Sequence, residues 1–315
     1  MIVIAGGTGR LGTEVVRLLT ARGMTMRVLT RDPARARHLE GLSVEVVPGD
    51  VRDPRAVERA VAGAATVISA VHGFIGTGSD SPRTVDGEGN SNLIRAAQAE
   101  GVEHVILISI HGAAPDHPME LMRMKFQAEE ELRASGLAWT IIRATAYMET
   151  WANLIGEPLV TTGKTRIFGR GANPINFVSV TDVARFVELA ATDPALRGET
   201  LEVGGPDNLT FYEVVQTFAA VTGKAVRTSR VPLPAMRLMA VVMRPIRPTL
   251  ARQIQAGVVM DTHDMSFDPA AIIQRFPSIV LTPLPEVVRR HYGDQARGDT
   301  GYQTTAETIE MRTDA

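Results

Sequence analysis

Residues 2–12 read Ile2-Val3-Ile4-Ala5-Gly6-Gly7-Thr8-Gly9-Arg10-Leu11-Gly12, and this stretch decides the fold. Four apolar, β-favouring residues make a short strand buried on both faces, and a helix follows, opening at about Leu11. The glycine spacing between them has a physical reason. Gly6 permits the tight turn, Gly9 lets the backbone approach a pyrophosphate, and Gly12 lets the helix pack close to the strand. The helix N-terminus then offers free N–H groups and the positive end of its dipole to phosphate. Gly6, Thr8, Gly9, Arg10, Leu11 and Gly12 are therefore expected to hold a dinucleotide. A glycine triplet alone can be an ordinary turn. Its place between a strand and a helix, inside a βαβ pattern, is the context a dinucleotide site requires.

Outward from that loop, short apolar runs alternate with helical patterns. Strands are expected at Met1–Ala5, Met26–Thr30, Val44–Pro48, Thr66–Val71, His104–Ser109 and Ala138–Arg143. Helices are expected near 10–22, 33–40, 54–62, 84–100 and 118–135. Gly23, Gly101 and Gly136 close helical patterns, while Pro33 and Pro54 open them. Such alternation implies parallel strands joined by right-handed crossovers: an α/β, doubly wound Rossmann sheet over residues 1–150. After residue 150 the strands become isolated (Lys164–Phe168, Ile175–Val180, Thr200–Val203), with helices near 181–192 and 211–222. Residues 151–292 read as a smaller C-terminal α/β substrate lobe, with segments near 175–205 completing the main sheet. The polar stretch 293–315 reads as a disordered tail.

The second strand sets the cofactor. An NAD site places Asp or Glu at its end, on the ribose 2′-OH. Here Thr30 and Arg31 stand there, followed by Arg35 and Arg37. A guanidinium suits a 2′-phosphate in charge and fork geometry, so NADPH is expected in preference to NADH. Asp32 precedes Pro33 and reads as a helix cap. Asp50 and Val51, ending the third strand, suit the adenine edge, although Asp50 could equally cap the helix opening at Pro54. Ala70 and Val71, ending the fourth, suit the adenosine side.

Composition narrows the partners. Lys plus Arg number 33 and Asp plus Glu 35, for a formal charge of −2, so no nucleic-acid footprint is visible. Cysteine is absent, which excludes disulfides and thiolate chemistry and fits a reducing cytosol. No run approaches the roughly 18 apolar residues of a membrane span, and no secretory signal is recognised, so a soluble, cytoplasmic protein is expected. The histidines lack metal spacing, so no metal site is expected.

Taken together, the glycine loop, Arg31-Asp32-Pro33, Gly49-Asp50, Asp86-x-x-Gly89-Asn90-x-x-Leu93-Ile94-x-Ala96-Ala97, and Phe177-Val178-x-Val180-x-Asp182-Val183-Ala184 resemble the NmrA-like group of atypical short-chain dehydrogenase/reductases. The resemblance covers roughly residues 1–225. Working enzymes of the wider family use a Tyr-x-x-x-Lys pair after the fifth strand. Here Lys125 matches the lysine, but Leu121 stands where the tyrosine belongs. The resemblance implies that Lys125 holds the nicotinamide ribose. The helix face it shares with Leu121, Ala128 and Leu132 turns it inward; a lysine reaching solvent or pairing with Glu129 is the alternative.

Leucine transfers no proton, so a donor must come from elsewhere. His111 and Ser109 follow the fifth strand and Tyr147 follows the sixth. Histidine side chains commonly serve as acids, so His111 is a candidate, with a plain surface histidine as the favoured alternative; Tyr147 reads equally as packing. Ser109 is grouped with the cofactor contacts. Residues His72–Gly78 form a candidate flap, and Met236, Leu238, Met239, Val242 and Met243 a candidate apolar lining or plain lobe packing. The expected function is NADPH-dependent reduction of a small apolar carbonyl, quinone or activated alkene. A redox sensor without chemistry is the rival, and a membrane-complex assembly factor the third reading. Contact with a membrane surface is not expected, because prolines interrupt residues 231–260.

Overall fold

The computed structural model describes residues 1–76 and 78–298, and for 294–298 the backbone alone. Seven parallel strands form the central sheet: β1 (Ile2–Ala5), β2 (Met26–Thr30), β3 (Val44–Pro48), β4 (Thr66–Ser69), β5 (His104–Ile110), β6 (Ala138–Ala144) and, after an excursion, β10 (Glu199–Val203). Their spatial order is β10-β6-β5-β4-β1-β2-β3. The order reverses between β1 and β4, which opens a crevice at the carboxyl ends of the strands. The second, third and Lys164–Phe168 strands keep their expected bounds; the others shift by one or two residues at an end.

Helices cover both faces, so the strands read as continuous apolar runs. On one face lie α1 (Arg10–Ala21), the 3₁₀ helix Pro33–Leu39 and α7 (Val180–Thr192), burying Val15, Leu19, Phe186 and Val187 against Ile4, Ile106 and Ile142. The other face carries α2 (Pro54–Val61), α3 (Gly89–Ala99) and α4 (Glu120–Ala134) over Val3, Val67, Val105 and Ile141. The expected helix 84–100 is in fact two: a π-helical stretch Pro82–Glu88, capped by Ser81, followed by α3. Asp32 caps the 3₁₀ helix as expected, its Oδ1 accepting from Ala34 N at 2.9 Å. At α2 the cap is Asp53 rather than Asp50.

The remaining chain folds over the sheet's crevice. Strand β7 (Ala146–Tyr147), β9 (Ile175–Val178) and β11 (Asn208–Leu209) form a small sheet of their own. The main sheet is therefore completed by β10 alone; the segment at 175 belongs to the lobe. Strands β8 (Lys164–Phe168) and β12 (Arg227–Val231) pair in parallel beside it. A third core gathers Phe177, Phe211 and Phe218 between α5 (Met148–Trp151), α6 (Glu157–Thr162), α8 (Phe211–Thr222) and α12 (Leu284–Gly298). Helices α9 (Leu233–Met243) and α10 (Pro248–Thr262) form a hairpin, with α11 (Ala270–Arg275) after it. The tail expected from residue 293 begins inside α12 and otherwise lies outside the described residues. No described helix is long and apolar enough to cross a membrane.

Candidate active site

Gly6 adopts φ +86°, a conformation that needs glycine, and a Cβ there would lie 2.5 Å from Ala70 O. A Cβ on Gly12 would come within 2.2 Å of Gly6 O, so the close approach of α1 to the loop depends on its absence. Gly9 differs: a Cβ there would meet only Gly6 O at 3.2 Å, which leaves the space above it open for a ligand. The first intrahelical bond runs from Thr13 N to Gly9 O at 2.8 Å, and no side chain caps the helix. The N–H groups of Arg10, Leu11 and Gly12 precede that bond and are free to meet an anion. The helix begins at Arg10, one residue earlier than expected. The Arg10 guanidinium donates to Glu149 O at 2.8 Å and so ties α1 to the lobe. Beside it opens a cleft of about 590 Å³, lined among others by Thr8, Gly9, Arg10, Asn153 and Thr181.

At the end of β2, Arg31 is half exposed and sits in a four-charge cluster. It pairs with Asp80 and lies 3.9 Å from Asp50, while Arg52 Nη1 is 3.0 Å from Asp80 Oδ1 and also binds Asp50. Burial works to raise the Asp50 pKa, yet the hydrogen bonds and charge of Arg52 hold it below the usual carboxylate value. The Asp50 carboxylate thus faces Arg52 instead of capping a helix. Val51 is buried, and its carbonyl accepts from Asn92 Nδ2 at 2.9 Å. The loop carrying Asp80 is anchored from above, since Gly76 O accepts from Thr249 Oγ1 at 2.7 Å and Arg252 Nη2 at 2.9 Å.

Lys125 points inward, as its helix face requires, and is 4% exposed. Its Nζ donates to Val71 O at 3.0 Å and Ile108 O at 2.9 Å, and lies 2.9 Å from Asp86 Oδ1. Two carbonyl oxygens thereby take two of its three N–H groups, and the Asp86 carboxylate is paired with it by charge. Asp86 Oδ1 makes no hydrogen bond of good geometry, so the ammonium charge is what balances it. Its other oxygen accepts from Gly73 N at 2.8 Å. Lys125 therefore fastens the carboxyl ends of β4 and β5 together. Glu129, the partner weighed from sequence, binds Arg143 and Arg133 instead.

The proton-donor candidates separate. Ser109 is buried and donates to Glu129. Tyr147 packs against the sheet, where burial and then the charge of Glu149 raise its pKa. His111 stands at the carboxyl end of β5, partly exposed. Its Nδ1 is 2.7 Å from Glu202 Oε2, and its ring meets Phe267 edge-on. Arg143 Nη1 holds the other Glu202 oxygen at 3.1 Å. Burial works to raise the Glu202 pKa, but the bonds to His111 and Arg143 keep it low. Glu202 was not singled out from sequence, and Asp86 only as part of the family resemblance, without its partner. Both pairings join elements distant in the chain, and a single sequence carries no signal for them. Of the Met-rich segment, Met236 is buried against α10, whereas Leu238, Met239 and Val242 turn to solvent. No metal-ligating cluster occurs among the described residues.

A parallel sheet with its glycine loop at the β1/α1 turn and its order reversed beside β1 defines a Rossmann fold. The profile of the NmrA-like family matches residues 1–264, and the chain belongs to that family. An NAD(P)H azoreductase of Xenophilus azovorans is 31% identical over 229 residues, 72% of this chain and 76% of its own length. Photosystem II assembly factor Ycf39 of Synechocystis is 30% identical over 240 residues, 76% of this chain and 72% of its own. Among solved structures, an Escherichia coli NADPH-dependent quinone oxidoreductase complexed with NADPH aligns with a TM-score of 0.75. It is 21% identical, and the alignment covers 93% of this chain and all of that one, a likeness of fold.

Proposed function

We propose that this protein is an NADPH-dependent reductase of a small, apolar acceptor such as a quinone, carbonyl or activated alkene. The observation that carries the reading is the uncapped N-terminus of α1, open above Gly9 and followed at the end of β2 by Arg31. Backbone N–H groups at Arg10–Gly12 would hold the pyrophosphate, and the Arg31 guanidinium the 2′-phosphate, once Asp80 is displaced from it. The bound nicotinamide supplies the hydride. His111 supplies the proton from its ring, with Nδ1 held by Glu202 and the other nitrogen left for the acceptor. Lys125 is a positioning residue that keeps Val71 and Ile108 in place. The azoreductase and quinone oxidoreductase relatives carry names that support an electron-accepting substrate of this kind.

Leu121 and the Lys125 ammonium, held by Val71 O, Ile108 O and the Asp86 charge, favour a second reading, a sensor that binds the cofactor without turning it over. Loss of NADPH absorbance in the presence of a quinone, aldehyde and azo-dye panel separates the two. Steady turnover that His111→Gln lowers about 100-fold supports the reductase. Tight NADPH binding without turnover of any acceptor supports the sensor.

A further inference from the structure

Ten large apolar side chains stand exposed among the described residues, and five of them fall between Leu238 and Ile246. Scattered exposure is ordinary, but a cluster of this kind marks a contact surface. Leu238 (66% exposed), Val241 (71%) and Val242 (47%) lie three and four residues apart on one face of α9, and Ile246 (67%) continues the ridge into the following turn. The prolines divide the segment into two helices, as expected: Pro232 and Pro234 open α9, Pro245 lies in the turn that follows it, and Pro248 opens α10. Charge on the same stretch is one-sided. From Val214 to Met260 there is no Asp or Glu, but there are six arginines and one lysine, in a chain whose net charge is −2. Arg237, Arg244 and Arg247 flank the ridge, are exposed, and make no ion pair with a described residue. Lys164, Arg166 and Arg227 extend the basic band along the neighbouring β8–β12 pair.

We propose that the α9 ridge docks on an anionic lipid surface. Leu238, Val241, Val242 and Ile246 enter the boundary between headgroups and acyl chains, and the flanking arginines meet the lipid phosphates. Charge complementarity selects this occupant. A second copy would set arginine against arginine, and a nucleic acid would leave the projecting apolar ridge without a partner. The same hairpin holds the Asp80 loop through Thr249 and Arg252, so the docked face lies one helix away from the candidate site. The proposal stands whether or not the chain is a reductase.

Co-sedimentation of the full chain with phosphatidylcholine vesicles, with and without one third phosphatidylglycerol, tests it. Retention is expected on the anionic vesicles only and should fall as salt rises. Each arginine neutralised in Arg244→Gln and Arg247→Gln should lower partitioning about fivefold, and Val241→Asp should abolish it. These positions are exposed, so unchanged circular dichroism and NADPH binding serve as the folding control. Absence of retention on anionic vesicles overturns the proposal, as does equal retention of Val241→Asp. A dimer that Val241→Asp converts to a monomer, with no vesicle binding, would mean that a second copy covers the ridge, and overturns it too.

Discussion

Lys125 Nζ lies 2.9 Å from Asp86 Oδ1 in the core, with side chains 5% and 0% exposed. The pair joins α4 to the π-helical stretch, and through Val71 O and Ile108 O it also fixes the ends of β4 and β5. Removing one member strands a buried charge. Asp86→Asn is expected to cost about 3–5 kcal/mol in urea unfolding. Adding Lys125→Met should cost less than the sum of the two single changes, since the second removes the charge the first left unpaired. Additive losses would show that the pair is not coupled.

The glycines of the loop should respond differently. Gly12→Ala places a methyl against backbone atoms at 2.2 and 2.5 Å and should cost about 1–3 kcal/mol or more, as overpacking does. Gly9→Ala meets only one oxygen at 3.2 Å and should stay within about 1 kcal/mol of wild type while losing NADPH affinity. Thermal unfolding and a cofactor titration on the two variants check this. Equal destabilisation by both would contradict the distinction.

Asp80 competes with any phosphate for Arg31. Asp80→Asn keeps the shape of the loop and removes that competitor, so NADPH should bind roughly tenfold more tightly, by about 1.5 kcal/mol. NADH, which has no 2′-phosphate, should change little. Fluorescence titration of both nucleotides reads the difference, and a uniform gain for both would place the effect elsewhere.

His104 is buried, and burial, with the charge of Arg197 adding to it, pushes its pKa down to about 4. Thr140 Oγ1 donates to Leu196 O, so it must accept from His104 Nε2, 2.9 Å away, which fixes the neutral tautomer. Between pH 6.5 and about 4 the unfolded chain therefore binds a proton that the folded chain does not. Stability from this group is complete above pH 6.5, falls with pH by at most about 1.4 kcal/mol per unit, and levels below about 4. His104→Gln should flatten that part of the profile. A variant whose acid dependence matches wild type would refute the assignment.

The sheet was legible because each buried strand is a short apolar run bounded by a breaker; Met26–Thr30 and Val44–Pro48 are found with the bounds read from sequence. The glycine loop was legible because all its residues are contiguous. The π-helical stretch was not, since its i→i+5 bonding leaves no distinct period over seven residues. Strand β12, Arg-Thr-Ser-Arg-Val, is polar and edge-lying, and only its pairing with β8 makes it a strand. Lys125 could be turned inward from its helix face, but Asp86, and likewise Glu202 beside His111, come from other elements of the chain. Long-range charge pairing has no local signature.

The most direct test of the central claim is a titration of the purified protein with NADPH and NADH, repeated with Arg31→Glu. The account predicts that wild type binds NADPH in preference to NADH. It also predicts that Arg31→Glu weakens NADPH about 10- to 100-fold, the loss of a charge-assisted contact, and leaves NADH nearly unchanged. Equal affinity for both nucleotides in wild type, or a variant that binds NADPH as wild type does, would contradict it.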